Sequence, residues 1–180
     1  MECLYLESVN TRFINLMIEK KKIGIAGVGN FILADEGFGV HVVHYLQENY
    51  DFPDNVDIQD VGTAGIYMAP FLEECDPVFV IDVVDMEGEP GSFHFFTLDD
   101  VKAGNFQLRM SPHQLGLLEI LEVSKLRGNM PGVIEFYTVI PKVLEEGIEL
   151  SEEIAKRKVE IAEMILDRLT KLGVTYTKKQ

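Results

Sequence analysis

Three short phrases of the chain carry side chains that could bind a metal ion together. They are G-V-G-N-F-I-L-A-D-E-G-F-G-V, which contains Glu36, F-V-I-D-V-V-D, which contains Asp82, and S-P-H-Q-L-G-L, which contains His113. Two carboxylates and one imidazole form a mixed oxygen and nitrogen donor set that suits a borderline divalent ion such as nickel or zinc. Such a site exists only if the fold brings the three residues together.

Each of these residues also has a simpler explanation. Glu36, beside Asp35, could place negative charge at a helix N-terminus, which is worth about 0.3–1 kcal/mol. His113 could be an ordinary residue of the first turn of a helix. Asp82 is harder to explain in this way, because an ionisable side chain within an apolar run needs a partner or a metal. Asp85 could instead be the exposed acid that ends this strand.

The composition is that of an acidic globular protein with free thiols. The 180 residues carry a net charge of −14, which argues against a nucleic-acid partner because phosphate backbones are bound by clustered Lys and Arg. Cys3 and Cys75 form no paired motif, which is typical of a reducing compartment. No apolar run is long enough to cross a bilayer, and the N-terminal residues do not resemble a secretory signal. We therefore expect a cytoplasmic protein with no membrane partner. A monomer is the expected oligomeric state.

Alternating strand and helix patterns predict an α/β fold. The predicted strands are Ile23–Val28, Val56–Val61, Val78–Val84, Ser92–Leu98 and Ile134–Ile140. The predicted helices are Asp35–Tyr50, Gly65–Glu74, Pro112–Leu126 and a long amphipathic helix that begins after Ser151 and stops at Gly173, while Asp99–Met110 is predicted as a loop. This order predicts a single domain with a twisted, mostly parallel but mixed five-stranded sheet sandwiched between helices.

The domain is expected to cover residues 23–173. Residues 174–180 form a predicted C-terminal tail, and residues 1–22 form a leader of uncertain status. Met1 to Leu16 precede the natural start of the first strand, and Met17 is an alternative initiator.

The predicted sheet offers one place where the three candidate residues could meet. Glu36 follows the first strand, and Asp82 lies near the carboxyl end of the third. Open α/β sheets bind ligands in the crevice outside the carboxyl ends of their strands. His113 lies in the first turn of a helix that Ser111, as N-cap, and Pro112 would open, so a loop that folds back could deliver it there.

In this order and spacing, the phrases resemble those of the nickel–iron hydrogenase maturation endopeptidases. The resemblance also includes D-V-G-T-A-G from Asp60 to Gly65 and G-V-I-E-F-Y-T-V-I-P in the last strand, and it covers about Ile23 to Gly173. It implies a hydrolase that removes a C-terminal extension from the large-subunit precursor of a nickel–iron hydrogenase after nickel insertion.

The resemblance also implies roles for particular residues. The family's metal-contacting and catalytic acids and histidine fall on Glu36, Asp82 and His113, and the acid associated with recognition of the metal-loaded substrate falls on Asp60. Val61 stands where relatives often carry a small residue, so the backbone approach there could differ.

The chain offers little for catalysis by a protein nucleophile or a resident zinc ion, since it contains neither G-x-S-x-G nor H-E-x-x-H. The resemblance therefore leaves the working expectation that nickel arrives with the substrate and is bound by Glu36, Asp82 and His113. It could polarise the scissile carbonyl or lower the pKa of a bound water. A carboxylate could instead act as general base, and the sequence does not separate these mechanisms.

Other functions fit parts of the sequence. G-I-A-G-V-G-N resembles a dinucleotide loop, but Ile32 occupies the third glycine position, where it would obstruct helix–strand packing, and Asp35 and Glu36 would repel phosphate. A non-catalytic maturation factor that binds a metal or a partner, or a related peptidase that acts on another precursor, remains open. His41 and His44 could share a metal, but a solvated or partly packed helix flank is the expected role.

Overall fold

The computed structural model describes residues 21–63, 65–102 and 112–180, and it describes the backbone alone at 66, 67, 102, 112–115 and 118. The elements follow in the order β1 (Lys22–Val28), α1 (Phe38–Asn49), β2 (Tyr50–Asp51), β3 (Val56–Gly62), α2 (Ala69–Glu74), β4 (Cys75–Val83), β5 (Phe93–Thr97), α3 (Leu98–Lys102), α4 (Pro112–Leu126), β6 (Ile134–Val139), α5 (Glu152–Lys171) and β7 (Thr177–Lys178). Short 3-10 turns at Ala34–Gly37 and Gly65–Met68 precede α1 and α2.

The five predicted strands form one sheet in the order β3-β1-β4-β6-β5. Strands β3, β1, β4 and β6 run parallel, and β5 pairs antiparallel with β6 at one edge. This confirms the prediction of a mostly parallel, mixed five-stranded sheet. Within the C-terminal segment predicted as a tail, β7 pairs antiparallel with β2, so that Tyr50 lies opposite Lys178.

Helices cover both faces of the sheet, as predicted. Alternate residues of β4 pack into separate cores, because successive side chains of a strand point to opposite faces. Val78 and Val80 face the core that α2 and α4 complete, whereas Phe79 and Ile81 face the core beneath α1 and α5. The alternation matters for function, because it decides towards which helices each strand residue points.

Helix α5 is amphipathic, and its apolar residues Ile154, Ile161, Ile165 and Leu169 are buried. Ser151 occupies the N-cap position, and Gly173, with a φ of +79°, lies just beyond the end of the helix, as the sequence predicted. Among the helices that the structure describes, none is both long and apolar enough to cross a membrane.

The prediction of a loop over Asp99–Met110 was partly wrong. Residues Leu98–Lys102 form a short helix, whose start resembles a capping box: Asp100 Oδ2 accepts a hydrogen bond from Thr97 N, and Asp100 N donates to Thr97 Oγ1. Hydrogen bonds from Thr97 lower the pKa of Asp100. The predicted N-cap Ser111 and the predicted leader Met1 to Leu16 with Met17 lie outside the described residues.

Candidate functional site

Glu36 lies in a tight turn between β1 and α1 that contacts β4. The chain enters this turn through Gly29, whose φ is +135°. A Cβ atom on Gly29 would lie 1.9 Å from the backbone oxygen of Glu36, so no other residue fits there. Ala34 has a φ of +45°, which is unfavourable for a residue with a Cβ and costs on the order of 1–3 kcal/mol. The half-buried Glu36 is thus part of a constrained turn.

Helix α1 begins directly against the carboxyl ends of β1 and β4. A Cβ atom on Gly39 would lie 2.1 Å from the backbone oxygen of Ile81 and 2.4 Å from that of Val28. This close approach places the turn of Glu36 beside the strand that carries Asp82. The expectation that Ile32 would obstruct helix–strand packing was wrong, because Gly39 makes the contact and Ile32 is 63% exposed.

Asp82 is fully buried near the carboxyl end of β4. By strand alternation it lies on the same face as Val80, which is the face covered by α2 and α4. Its Oδ1 accepts a hydrogen bond of 2.8 Å from the backbone nitrogen of Val83, and its neighbour across the ladder is Thr138 of β6. The backbone of the sheet therefore orients the carboxylate of Asp82.

His113 belongs to the first turn of α4, the helix that covers the same face of the sheet as Asp82. Its side chain lies outside the described part of the structure, so contact with Glu36 and Asp82 stays a prediction. Among the side chains that are described, no three His, Cys, Asp or Glu residues are grouped closely enough to hold a metal ion. The backbone arrangement leaves the predicted donor set possible.

Asp60 lies on the edge strand β3 and does not share a face with Asp82. Its Oδ2 lies 2.9 Å from Nε2 of His44 on α1, and its Oδ1 accepts a 3.0 Å hydrogen bond from Gly62 N. Strand β1 lies between β3 and β4, so roughly 10 Å separates the axes of the strands that carry the two acids. The structure therefore places Asp60 and Asp82 on opposite faces of the sheet, on strands that are separated by β1.

Asp35 has a structural role that the sequence did not reveal. It is fully buried, and its carboxylate accepts hydrogen bonds from the described residues Lys142 (N, 3.0 Å), Val143 (N, 2.8 Å) and Ser151 (N, 2.7 Å; Oγ, 2.9 Å). The alternative in which Asp35 merely adds charge to a helix start was wrong. Nothing in the sequence indicates a contact between residues so far apart, and Ser151 donates to Asp35 rather than capping α5 with its side chain.

His41 and His44 form the partly packed helix flank that the sequence predicted. The ring centroid of His41 lies 4.8 Å from that of Phe31, and that of His44 lies 6.0 Å from it. Burial, followed by the charge of Lys158, lowers the pKa of His41. The side chain of His44 is 40% exposed and contacts Asp60, a partner that the sequence did not indicate.

Cys75 is buried in the core and is not expected to act as a nucleophile. Burial, with a smaller contribution from Asp57, raises the pKa of its thiol to about 12. Because the thiolate is the reactive form, we expect iodoacetamide at pH 8 to modify Cys75 at least about a hundredfold more slowly in the folded protein than in urea. Peptide mapping by mass spectrometry measures this rate, and equal modification in both states would contradict the assignment.

A sequence profile of the hydrogenase maturation proteases matches residues 40–168. The chain belongs to this family. The matched region of the hydrogenase maturation protease profile includes Asp60, Asp82 and His113 and begins four residues after Glu36.

Individual relatives of the family are similar over most of their length. The hydrogenase expression/formation protein HupD of Bradyrhizobium diazoefficiens is 33% identical over 162 residues, which cover 89% of this chain and 84% of that protein. The hydrogenase 2 maturation protease of Escherichia coli is 34% identical over 154 residues, which cover 85% of this chain and 93% of the relative.

Solved structures of hydrogenase maturation proteases share the fold. The hydrogenase maturating endopeptidase HybD from Escherichia coli superposes with a TM-score of 0.81 at 33% identity, covering 88% of this chain and 98% of that one. A hydrogenase 2 maturation peptidase from a thaumarchaeon gives a TM-score of 0.63 at 35% identity, covering 83% and 98%. Membership of this family identifies the chain as a hydrolase rather than a non-catalytic binding factor.

Proposed function

We propose that this protease removes the C-terminal extension of the large-subunit precursor of a nickel–iron hydrogenase after nickel has been inserted. Relatives named as hydrogenase maturation proteases support the class of substrate. The observation that carries the proposal is the burial of Asp82 at the carboxyl edge of the sheet, with the turn of Glu36 packed against the same strand. This placement supports the proposal that the two acids serve one binding site.

In this proposal, Glu36, Asp82 and His113 contact the nickel ion that the precursor brings. Their carboxylate and imidazole groups match the donors that a borderline divalent ion accepts. Asp82 is fixed by β4 and is fully buried, whereas Glu36 is partly exposed. We expect Asp82 to bind deep in the site and Glu36 to meet the precursor from the solvent side.

The reaction is the hydrolysis of a peptide bond. The oxygen of a water molecule bonds to the scissile carbonyl carbon, the C–N bond breaks, and the amine of the released peptide takes a proton from that water. Nickel in the substrate would polarise the carbonyl or lower the pKa of a nearby water. Of the two carboxylates, Glu36 is the more accessible and therefore the better placed to take a proton from water.

Asp60 is proposed to recognise the metal-loaded precursor rather than to take part in bond cleavage. Its side chain is 40% exposed, and its strand is separated from that of Asp82 by β1. A contact between Asp60 and the precursor would depend on how the precursor is folded around its nickel centre. A cytoplasmic monomer remains the expectation from the sequence.

Intact-mass spectrometry of a large-subunit precursor, prepared with and without nickel and mixed with this protein, tests the proposal. We expect a C-terminal peptide to be lost only from the nickel-loaded form. Cleavage of neither form would contradict the proposed substrate. Equal cleavage of both would contradict the requirement for nickel.

A further inference from the structure

We propose that His44 is a positioning residue for Asp60, which it holds in the orientation that meets the precursor. The inference rests on the proposed function, in which Asp60 recognises the substrate. Its starting point is the 2.9 Å contact between Nε2 of His44 and Oδ2 of Asp60, which joins α1 to the edge strand β3.

Both oxygens of the Asp60 carboxylate are engaged. Because an ionised carboxylate only accepts hydrogen bonds, Nε2 of His44 is the donor to Oδ2. The other oxygen, Oδ1, accepts from the backbone nitrogen of Gly62, where the chain turns with a φ of +49°. One donor on each oxygen fixes the plane of the carboxylate as well as its position.

The helix that carries His44 is fixed to the sheet by contacts at both of its ends. Gln47, one turn further along α1, donates from Nε2 to the backbone oxygen of Ile58 on β3 at 2.9 Å. At its other end, α1 is fixed by the close contact of Gly39 with β1 and β4. A side chain presented by a rigid helix can orient a neighbouring group more sharply than one carried by a loop.

The pair is accessible to a partner protein. The side chains of His44 and Asp60 are each 40% exposed, so their interaction adds little to folding. An ionised carboxylate offers about four lone-pair sites, and the contacts described here use two of them. As far as the described residues show, the remaining acceptor capacity of Asp60 is available to a donor group on the precursor.

Steady-state cleavage of the nickel-loaded precursor by single and double variants tests the inference. We expect His44→Ala to lower kcat/KM by about three- to tenfold, chiefly through KM, because binding weakens while the reacting groups are unchanged. His44→Gln, whose amide nitrogen can replace Nε2 as donor, should recover most of the loss. In an Asp60→Ala background, His44→Ala should have almost no further effect. Glu48→Ala, an exposed change on the same helix, serves as the control and should match the wild type.

Two results would overturn the inference: a His44→Ala enzyme with wild-type kcat/KM, or an equal loss in the Asp60→Ala background. If the wild type leaves the precursor intact, the proposed function fails, and precursor binding becomes the deciding measurement. His44→Ala must then weaken precursor binding by a similar factor, and this effect must disappear in the Asp60→Ala background. Precursor binding that is absent in the wild type, or unchanged in His44→Ala, would overturn the inference. Long-range proton–nitrogen NMR should also show a proton on Nε2 of His44 whose signal moves in Asp60→Asn.

Discussion

Asp82→Asn is expected to abolish cleavage of the nickel-loaded precursor while the protein still folds. Asparagine keeps the shape of the side chain at this fully buried position but removes the charge that a divalent ion needs. Stabilisation of the transition state by a metal is worth several kcal/mol, so the rate should fall by about a thousandfold or more. Single-turnover cleavage followed by mass spectrometry measures the rate, and circular dichroism checks the fold.

The chain provides a close control for this variant. Asp85 lies three residues further on and is exposed, so Asp85→Asn removes the same charge outside the core. It should cleave the precursor at the wild-type rate, whereas Glu36→Gln should fail as Asp82→Asn does. Normal turnover by either site variant would remove that residue from the proposed set.

Asp35→Ala should produce the largest loss of stability among the acids of this turn. The change leaves the partly buried backbone nitrogens of Lys142, Val143 and Ser151 without the carboxylate that accepts their hydrogen bonds. A donor that loses its acceptor in this way costs about 1–3 kcal/mol, so the loss of three backbone hydrogen bonds to a carboxylate should cost about 3–5 kcal/mol in total. For a chain of this size, each kcal/mol lowers Tm by about 2–4 °C, so a decrease of roughly 6–20 °C is expected. Thermal and urea unfolding measure it.

Glu145→Ala is the matched control for Asp35→Ala. Glu145 is an exposed acid on the segment that Asp35 holds, so its removal should change the free energy of unfolding by less than about 0.5 kcal/mol. Equal Tm values for the two variants would show that the hydrogen bonds to Asp35 do not stabilise the fold.

The sheet and the position of Asp82 could be predicted because both depend on local patterns. Val78 to Val84 is apolar with one acid near its end, and that exception marks a residue placed for a reason other than packing. The antiparallel placement of β5 beside β6 depends on how distant segments pack. No local pattern encodes that arrangement.

The roles of Asp35 and His44 could not be predicted for the same physical reason. Asp35 and Glu36 are adjacent acids with equal helix-start potential, and only the return of the chain at Lys142 to Ser151 distinguishes them. His44 resembles His41 in sequence context, and its partner Asp60 becomes visible only when β3 pairs with β1.

The turn between Gly29 and Gly39 has a consequence for how this site can change over evolutionary time. Both ends are fixed by backbone contacts that leave no space for a Cβ atom, so the length of the segment is determined independently of its side chains. An insertion of one residue before Asp35 would move Asp35 to the half-buried position of Glu36, and a deletion there would move Glu36 to the buried position of Asp35. Substitutions at exposed positions such as Phe31 and Ile32 are therefore tolerable, whereas the spacing itself is part of the proposed site.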